Sequence, residues 1–178
     1  MVCGRRQRGW NGHRFVPPLN LACVAAATPP HWEIRILDEN AGDDAARLDG
    51  FRPDLVGITA YTATIPRAYE LATTYRRQGV PVVIGGCHAS ALPEEVACFA
   101  DAAFVGQAEG AWSQVLEDLE SGRLQPLYRG GMPPLAGLPL PRRDLYPHRY
   151  RFEAVLTSKG CPHACEFCSV WKRYERRT

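Results

Sequence analysis

Asp54-Leu55-Val56-Gly57-Ile58-Thr59 is a continuous apolar run that Pro53 and polar residues bound. Strands of a parallel sheet are covered on both faces, so they read as short unbroken apolar runs rather than as alternating patterns. A helix from Pro66 to the residue before Gly79 follows the run. Its apolar residues recur at helical spacing: Ala68, Leu71, Ala72 and Tyr75. The sequence therefore predicts a unit of β-strand and helix here.

The same pattern continues on both sides of this unit. Further strands are predicted at 33–37, 80–84 and 102–105, and further helices at 19–27, from Pro93 onward and at 111–121. Glycines follow two of the strands, as Gly85-Gly86 and Gly106. Alternation of strand and helix at short intervals predicts a doubly wound, Rossmann-like parallel α/β sheet, whose ligands bind beyond the carboxyl ends of the strands.

Length and composition restrict the class of protein. The chain of 178 residues is long enough for one domain with a substantial core, and its 46% hydrophobic and 22% charged residues exclude a disordered chain. Residues 1–141 carry 12 Lys or Arg and 15 Asp or Glu, whereas residues 142–178 carry 9 and 4. The two parts differ in charge, but no basic patch with interleaved aromatic residues recurs, so we expect no nucleic acid partner.

Cysteine usage indicates the compartment. Seven cysteines without a convincing secretion signal are typical of a reducing cytoplasm, where thiols bind metals more often than they form disulfides. Arg5-Arg6 precedes the apolar run 21–27 as in an export signal, but Pro17, Pro18 and Asn20 interrupt the approach. No apolar stretch reaches the roughly 20 residues that a membrane span needs. We therefore expect a cytoplasmic protein without a membrane span.

The character of the chain changes at residue 130. Little periodicity and five prolines mark residues 130–151 as an interdomain linker: Pro133, Pro134, Pro139, Pro141 and Pro147. An alternating stretch at 153–157 predicts another strand, which runs into a loop rich in cysteine. A strand with a cofactor loop at its C-terminal end is how a (β/α) barrel begins. The predicted organisation is a domain at 1–129, a linker at 130–151 and the start of a barrel at 152–178.

The cysteine loop is the segment Gly160-Cys161-Pro162-His163-Ala164-Cys165-Glu166-Phe167-Cys168, with the spacing C-x3-C-x2-C. Thiolates this close can bind one metal centre together, and three thiolates on a cubane of four irons leave one iron open. Zinc is the alternative, with His163 or a distant cysteine as the fourth ligand. A disulfide is less favoured, because three close cysteines leave one unpaired.

The loop resembles the signature of the radical S-adenosylmethionine superfamily, including the aromatic Phe167 before the third cysteine. The resemblance implies that Cys161, Cys165 and Cys168 hold a [4Fe-4S] cluster, whose open iron binds the amino and carboxylate groups of S-adenosylmethionine. It also implies reductive cleavage of S-adenosylmethionine to a radical that abstracts hydrogen from an unreactive carbon. The implied partners are a small-molecule or cofactor-like substrate and an external electron donor of the flavodoxin or ferredoxin type.

Earlier segments are similar to the cobalamin-binding domain that precedes the barrel in cobalamin-dependent members of this superfamily. The segments are Pro17-Pro18-Leu19, Asp38-Glu39, the run 54–59, Gly85-Gly86-Cys87-His88 and Gly106-Gln107-Ala108-Glu109. The resemblance implies that the following residues line the cobalamin site: Thr59, Tyr61, Thr62, Gly85, Gly86, His88, Gly106 and Glu109. A loop histidine such as His88 often only bonds a neighbouring group, and Asp38 and Glu39 read as surface acids at a strand end. No Asp-x-His-x-x-Gly motif is present, so a cobalt-ligating histidine is not predicted.

Two departures from the family pattern shape the expected function. The family's domain begins with a hydrophobic strand, for which Met1 to Arg14 offers no run, and the chain stops ten residues after Cys168. We therefore expect a piece of a longer cobalamin-dependent radical enzyme that performs methylation or related C–H chemistry, without most of its barrel. The rival hypotheses are a non-catalytic cobalamin-binding module with a vestigial cysteine loop and a small zinc protein.

Overall fold

A parallel sheet forms the centre of the molecule. The computed structural model describes residues 14–48 and 50–170, and in this part four strands pair in the order β1-β2-β3-β4. The strands are β1 (Val56–Thr59), β2 (Val82–Gly85), β3 (Ala102–Gly106) and β4 (Leu127–Gly130). The register sets Thr59 beside Gly85 and Gly106 beside Gly130, so the carboxyl ends of the strands meet at one edge.

Five α-helices connect and cover the strands of the described chain. They are α1 (Leu19–Ala26), α2 (Ile65–Arg77), α3 (Cys87–Ala91), α4 (Pro93–Ala97) and α5 (Trp112–Glu120). Proline stands in the first turn of α2 and of α4, where its missing N–H costs no hydrogen bond. Short 3-10 helices lie at Glu39–Ala41, Ala45–Leu48, Ala108–Gly110 and Arg143–Leu145. Among the described residues, none of these helices is long and apolar enough to cross a membrane.

Alternate residues of the strands face two separate cores. Val82 and Ile84 pack on one face with α2, α3 and α4, whereas Val83 and Phe104 pack on the other face with α5 and residues of α1. Each fully buried aliphatic side chain stabilises the fold by about 1.5–3 kcal/mol. Helices on both faces of a parallel sheet confirm the predicted α/β class.

The predicted strand at 33–37 is wrong. This segment has no strand structure, and only Asp38 forms an isolated bridge. Ile36 and Leu37 are nevertheless buried, at 7% and 6% exposure, which explains the alternating pattern. Alternation reports which side chains are covered, but a strand also needs a neighbour with which to pair. The family's expected first strand concerns residues that lie outside the described part, apart from Arg14.

The start of a barrel is not seen either. Residues 153–157 carry no strand structure, and Val155 and Leu156 are 75% and 50% exposed. The alternation there has no neighbouring strand in the described chain to cover it. In the other direction, α3 and β4 were not predicted. Leu127–Gly130 is short, and only Tyr128 of this strand is buried, so its apolar signal is weak.

Residues of the predicted linker pack on the sheet domain. The amide of Arg142 donates to the carbonyl of Ala22 in α1 at 3.0 Å, and Tyr150 donates to Asp38 at 2.8 Å. Gly130, the first residue of the predicted linker, is the last of β4. A stretch rich in proline is thus held on the domain surface by specific hydrogen bonds. The domain boundaries at 129 and 151 stay predictions.

Candidate functional site

A cavity of about 1270 Å³ lies along β1 and reaches the carboxyl edge of the sheet. We call it the edge cavity. Its walls come from α1, residues 33–37, the loops that follow β1, β2 and β3, and residues 154–160. Six of the eight residues implied for the cobalamin site line it: Thr59, Tyr61, Gly85, Gly86, Gly106 and Glu109. The sheet topology thus brings together residues that are up to 50 positions apart in the chain.

Two glycines at this edge are required by the fold itself. Gly86 has φ +94°, and a Cβ there would lie 2.6 Å from the hydroxyl of Thr59. Gly106 has φ +86°, and a Cβ there would collide with the carbonyl of Gly130. Ser90 ties the two turns together, because its hydroxyl donates to the Gly86 carbonyl at 2.8 Å and accepts from the Gly106 amide at 3.0 Å. The turns consequently present bare backbone to the edge cavity.

His88 and Thr62 are the two implied residues that do not line the edge cavity. His88 is 3% exposed, and its Nδ1 lies 3.2 Å from the hydroxyl of Thr62. Its Nε2 lies 3.4 Å from Glu95, to which Tyr69 donates at 2.8 Å. Burial, and then the Glu95 bond, raise the pKa of the Tyr69 hydroxyl. His88 thus sits in a polar network between α2, α3 and α4.

The cysteine loop lies at the surface. Cys165 is exposed, Cys161 and Cys168 are partly covered, and no disulfide joins them. The amide of Cys168 donates to the carbonyl of Cys165 at 3.0 Å, which closes a turn between the second and third cysteine. Within the described residues, no three His, Cys, Asp or Glu side chains are grouped as ligands of one metal ion. His163 is exposed.

One side chain joins the cysteine loop to the edge cavity. Lys159 lies directly before Gly160, and its ammonium group donates to Gln107 Oε1 at 2.5 Å and to Glu109 Oε1 at 2.8 Å. The side chains of Lys159 and Glu109 are only 8% and 14% exposed. We call this set the lysine contact. It connects the loop after β3 with the segment that carries the three cysteines.

A second polar set holds residues 148–150 on the domain. Asp43 accepts from His148 Nε2 at 2.7 Å, and Asp38 accepts from the hydroxyl of Tyr150 at 2.8 Å. The amide of Asp38 donates to the other oxygen of Asp43 at 2.9 Å. We call these four residues, Asp38, Asp43, His148 and Tyr150, the carboxylate cluster. It corrects the prediction that Asp38 is a surface acid, because Asp38 is 3% exposed.

Glu39 is likewise engaged. Arg67 of α2 donates through two nitrogens to its two oxygens, at 3.0 and 2.8 Å, and the Glu39 side chain is only 12% exposed. Bidentate pairing of this kind fixes geometry as well as charge. The two acids that follow residue 37 thus anchor the 3-10 helix at Glu39–Ala41 to the rest of the domain.

Cys23 of α1 is a further thiol on the wall of the edge cavity. Burial raises its pKa, and the charge of Glu109 adds to the rise, while Lys159 and Arg143 act in the opposite direction. A raised pKa favours the protonated thiol at neutral pH, which makes Cys23 less reactive than a cysteine with an ordinary pKa. Cys3 lies outside the described residues.

Sequence reasoning missed the lysine contact and the carboxylate cluster. Lys159 is a single basic residue in a basic segment, and Asp43 and His148 are 105 positions apart. A weak signal existed in the placement of Glu109 after a glycine-ended strand, which marked it as a residue of the carboxyl edge. Its partner could not be inferred, because the path of residues 130–160 over the domain is not encoded in any local pattern.

Comparisons with known proteins agree with this geometry. Residues 13–116 match the family model described as a B12 binding domain. The bacteriochlorophyllide d C-8(2)-methyltransferase of Chlorobaculum tepidum is 35% identical over 157 residues, which are 83% of this chain and 34% of that protein. The C-12(1)-methyltransferase of the same organism is 29% identical, covering 86% and 35%.

A hopanoid C-2 methylase of Rhodopseudomonas palustris is also similar. It is 28% identical over 169 residues, which are 91% of this chain and 32% of that protein. The chain thus spans about a third of the length of these relatives. The similarity covers most of this chain but only part of each relative.

Proposed function

Because the chain belongs to the B12 binding domain family, we propose that it binds cobalamin in the edge cavity as part of a cobalamin-dependent radical S-adenosylmethionine methyltransferase. The match over residues 13–116 carries the proposal, because this segment contains β1, β2, β3 and the turns around the edge cavity. The resemblance identified from the sequence is thereby confirmed for the cobalamin-binding part. The methyl-transfer activity is inferred from relatives that are about three times as long as this chain, two of them named methyltransferases and one a methylase.

The edge cavity offers a ligand open space at the glycine turns. Its volume of about 1270 Å³ also extends along β1, the outermost strand of the described sheet, so only part of this volume belongs to the carboxyl edge. Gly86 and Gly106 lie on the cavity wall and carry no side chain, so a ligand there would border backbone. Gly85 differs, because a methyl group there would meet Phe104 at an ordinary 3.5 Å. Glycine at position 85 is therefore not required by the fold, which is consistent with a ligand passing close to it.

The donor set of the cysteine loop suits an iron–sulfur cluster. Cys161, Cys165 and Cys168 supply three thiols that no disulfide removes, at a surface that iron and sulfide can reach. When bound, a [4Fe-4S] cluster with S-adenosylmethionine would supply one-electron reductive cleavage, and cobalamin would supply a methyl carrier. The electron donor would be an external protein of the flavodoxin or ferredoxin type, and the methyl acceptor a small molecule.

This chain's own residues would bind and orient these groups. The backbone at Gly86 and Gly106 would face the corrin, and Tyr61, which is 64% exposed, would border the cavity mouth. The lysine contact places the segment before Cys161 at the same edge. The structure therefore supports an arrangement in which the three cysteines lie on the cobalamin side of the sheet.

Two titrations test the proposal on the purified chain. Hydroxocobalamin added to the protein should show saturable binding with one corrin per chain. Anaerobic reconstitution with iron and sulfide should give a brown species with four irons per chain. Cys165→Ala should abolish the brown species, whereas Cys98→Ala, at another exposed cysteine, should leave it unchanged.

The outcomes also separate the rival functions. Corrin binding without any iron would favour a non-catalytic cobalamin-binding module. A preparation that retains zinc and no iron would contradict the cluster and favour a zinc protein. Failure to bind corrin at any concentration would contradict the proposed use of the edge cavity.

A further inference from the structure

The lysine contact differs from an ordinary surface ion pair. Lys159 and Glu109 are both largely excluded from solvent, and the same ammonium group also bonds Gln107. A buried charge that loses its partner is strongly unfavourable, because nothing replaces the hydration it gave up on folding. Neither side of the contact can therefore be removed without a marked change in the placement of the other.

Both partners of Lys159 belong to the loop that leaves β3. Glu109 and Gln107 line the edge cavity together with Gly106, where a Cβ would collide with the carbonyl of Gly130. A ligand that fills the edge cavity consequently contacts the loop on which Lys159 docks, and it also meets Lys159 and Gly160, which line the same cavity. When ligand binding orders this loop, it also favours the ordered position of any segment that docks on the loop.

The position of Lys159 also restricts where the cysteines can lie, because they follow it closely in the chain. Cys161 is two residues from Lys159, a distance that an extended chain spans in about 7 Å. The other described anchors of the C-terminal segment lie at least seven residues before Lys159: the amide of Phe152 donates to the carbonyl of Phe15 at 2.8 Å, and the carboxylate cluster holds His148 and Tyr150. Of the contacts described, the lysine contact is thus the one nearest to the cysteine loop in sequence.

We infer that Lys159 is a positioning residue that couples occupancy of the edge cavity to the placement of the cysteine loop. The inference rests on the proposed function, because it takes cobalamin as the ligand of the cavity. Coupling of this kind is reciprocal. A ligand that binds the ordered cysteine loop should strengthen cobalamin binding by the same factor by which cobalamin strengthens the binding of that ligand. Lys159 performs no chemistry in this role; it sets where the cysteines lie relative to the corrin.

Hydrogen exchange measured by mass spectrometry on the iron-free protein tests the coupling. Hydroxocobalamin is the probe, and peptides covering residues 85–109 and 158–168 are the two readouts. In the wild type, the corrin should slow exchange in both. In Lys159→Met, it should still slow exchange at 85–109, while exchange at 158–168 becomes about 5- to 30-fold faster and no longer responds to the corrin.

Two further variants make the test specific. Arg149→Met makes the same kind of change at an exposed basic residue of the linker and should behave as the wild type. Glu109→Lys and Lys159→Glu should each speed exchange at 158–168, and the double variant with both changes should recover part of the loss, because the ion pair is restored in reverse.

The results separate failure of the coupling from failure of the proposed function. A wild-type protein in which the corrin slows exchange at 85–109 but not at 158–168 would overturn the coupling alone. The coupling would also be overturned if Lys159→Met responded to the corrin as the wild type does. The same holds if hydrogen exchange at 158–168 in the double variant were no slower than in the single variants. No effect of the corrin anywhere in the wild type would overturn the proposed function and the coupling with it.

Discussion

The carboxylate cluster and the lysine contact both hold the C-terminal segment on the sheet domain, but they are built differently. In the carboxylate cluster, all four oxygens of Asp38 and Asp43 accept hydrogen bonds, from Asn40, Tyr150, His148 and the Asp38 amide. In the lysine contact, one cation binds two side chains of a loop that lines the edge cavity. A fully satisfied buried network fixes one conformation. A contact made through a cavity loop can respond to a ligand.

The largest expected effect comes from breaking the carboxylate cluster at its centre. Asp43→Ala removes the acceptor of His148, of Arg47 and of the Asp38 amide, all at a side chain that is 1% exposed. We expect the free energy of unfolding to fall by about 3 kcal/mol in a urea titration. Asp144→Ala, at an exposed carboxylate, is the control and should leave unfolding unchanged. An equal effect of both variants would contradict the structural role of the cluster.

Tyr150→Phe tests a single bond of the same cluster. The variant keeps the ring and removes the hydroxyl that donates to Asp38 at 2.8 Å. The Asp38 oxygen is then left buried without this donor, so we expect a loss of about 1–3 kcal/mol in the free energy of unfolding. A loss below about 0.5 kcal/mol would mean that water replaces the tyrosine and that the cluster is open to solvent.

The same tyrosine makes stability dependent on alkaline pH. Burial, and then the bond to Asp38, raise the pKa of Tyr150, and burial raises the pKa of Tyr146 to about 12. A raised pKa stabilises the fold fully below the unfolded value of about 10, and this contribution is lost as the pH rises above it. Urea titrations at pH 8 to 11 should therefore show stability falling above about pH 10. The fall should be smaller in Tyr150→Phe; an identical fall would contradict the assignment.

Lys159→Met should affect overall unfolding less than Asp43→Ala does. The contact holds residues that lie outside the strands of the sheet, so we expect about 1–2 kcal/mol or less in urea unfolding. Limited proteolysis should instead show faster cleavage within residues 158–168. A loss of unfolding free energy as large as that of Asp43→Ala would mean that the lysine contact stabilises the whole fold as the carboxylate cluster does.

The smallest effect is expected at an exposed ion pair, which serves as the reference for the two buried contacts. Arg35 and Glu33 form an ion pair at 2.6 Å, but their side chains are 57% and 63% exposed. Such a pair contributes little, since water and salt screen it. Glu33→Ala, which leaves the stacking of Arg35 on Phe51 in place, should change the free energy of unfolding by less than about 0.5 kcal/mol, measured in urea. A larger change would show that charge alone, without burial, explains the effects at Asp43 and Lys159.

The sheet could be predicted because its signals are local. The apolar runs around Val56 and Val82 and the helical face of α2 lie within single elements, and each formed as expected. The prediction failed at 33–37 and 153–157, where the pattern was right about alternation but no paired neighbour exists in the described chain. Pairing is a property of the assembled sheet, and a single segment does not contain it.

The site could be predicted only in part, for a similar reason. Six of the eight implied cobalamin residues line the edge cavity, because strand ends in a parallel sheet meet at one edge. His88 and Thr62 face the network beside α2 and α4 instead, since α3 turns His88 away from the cavity. The partners of Asp43 and Lys159 depend on where residues 142–160 cross the domain. No periodic pattern reports such a path.

The most direct test of the central claim is a cobalamin titration of two matched variants. Asn20 is an exposed residue of α1 that lines the edge cavity and donates to the Thr59 hydroxyl at 2.9 Å, and Gln114 is an exposed residue of α5 outside it. Asn20→Trp, which narrows the cavity beside Thr59, should weaken hydroxocobalamin binding at least about tenfold, while Gln114→Trp should bind as the wild type does. Equal binding by both variants, with both folded, would contradict the placement of the corrin in the edge cavity.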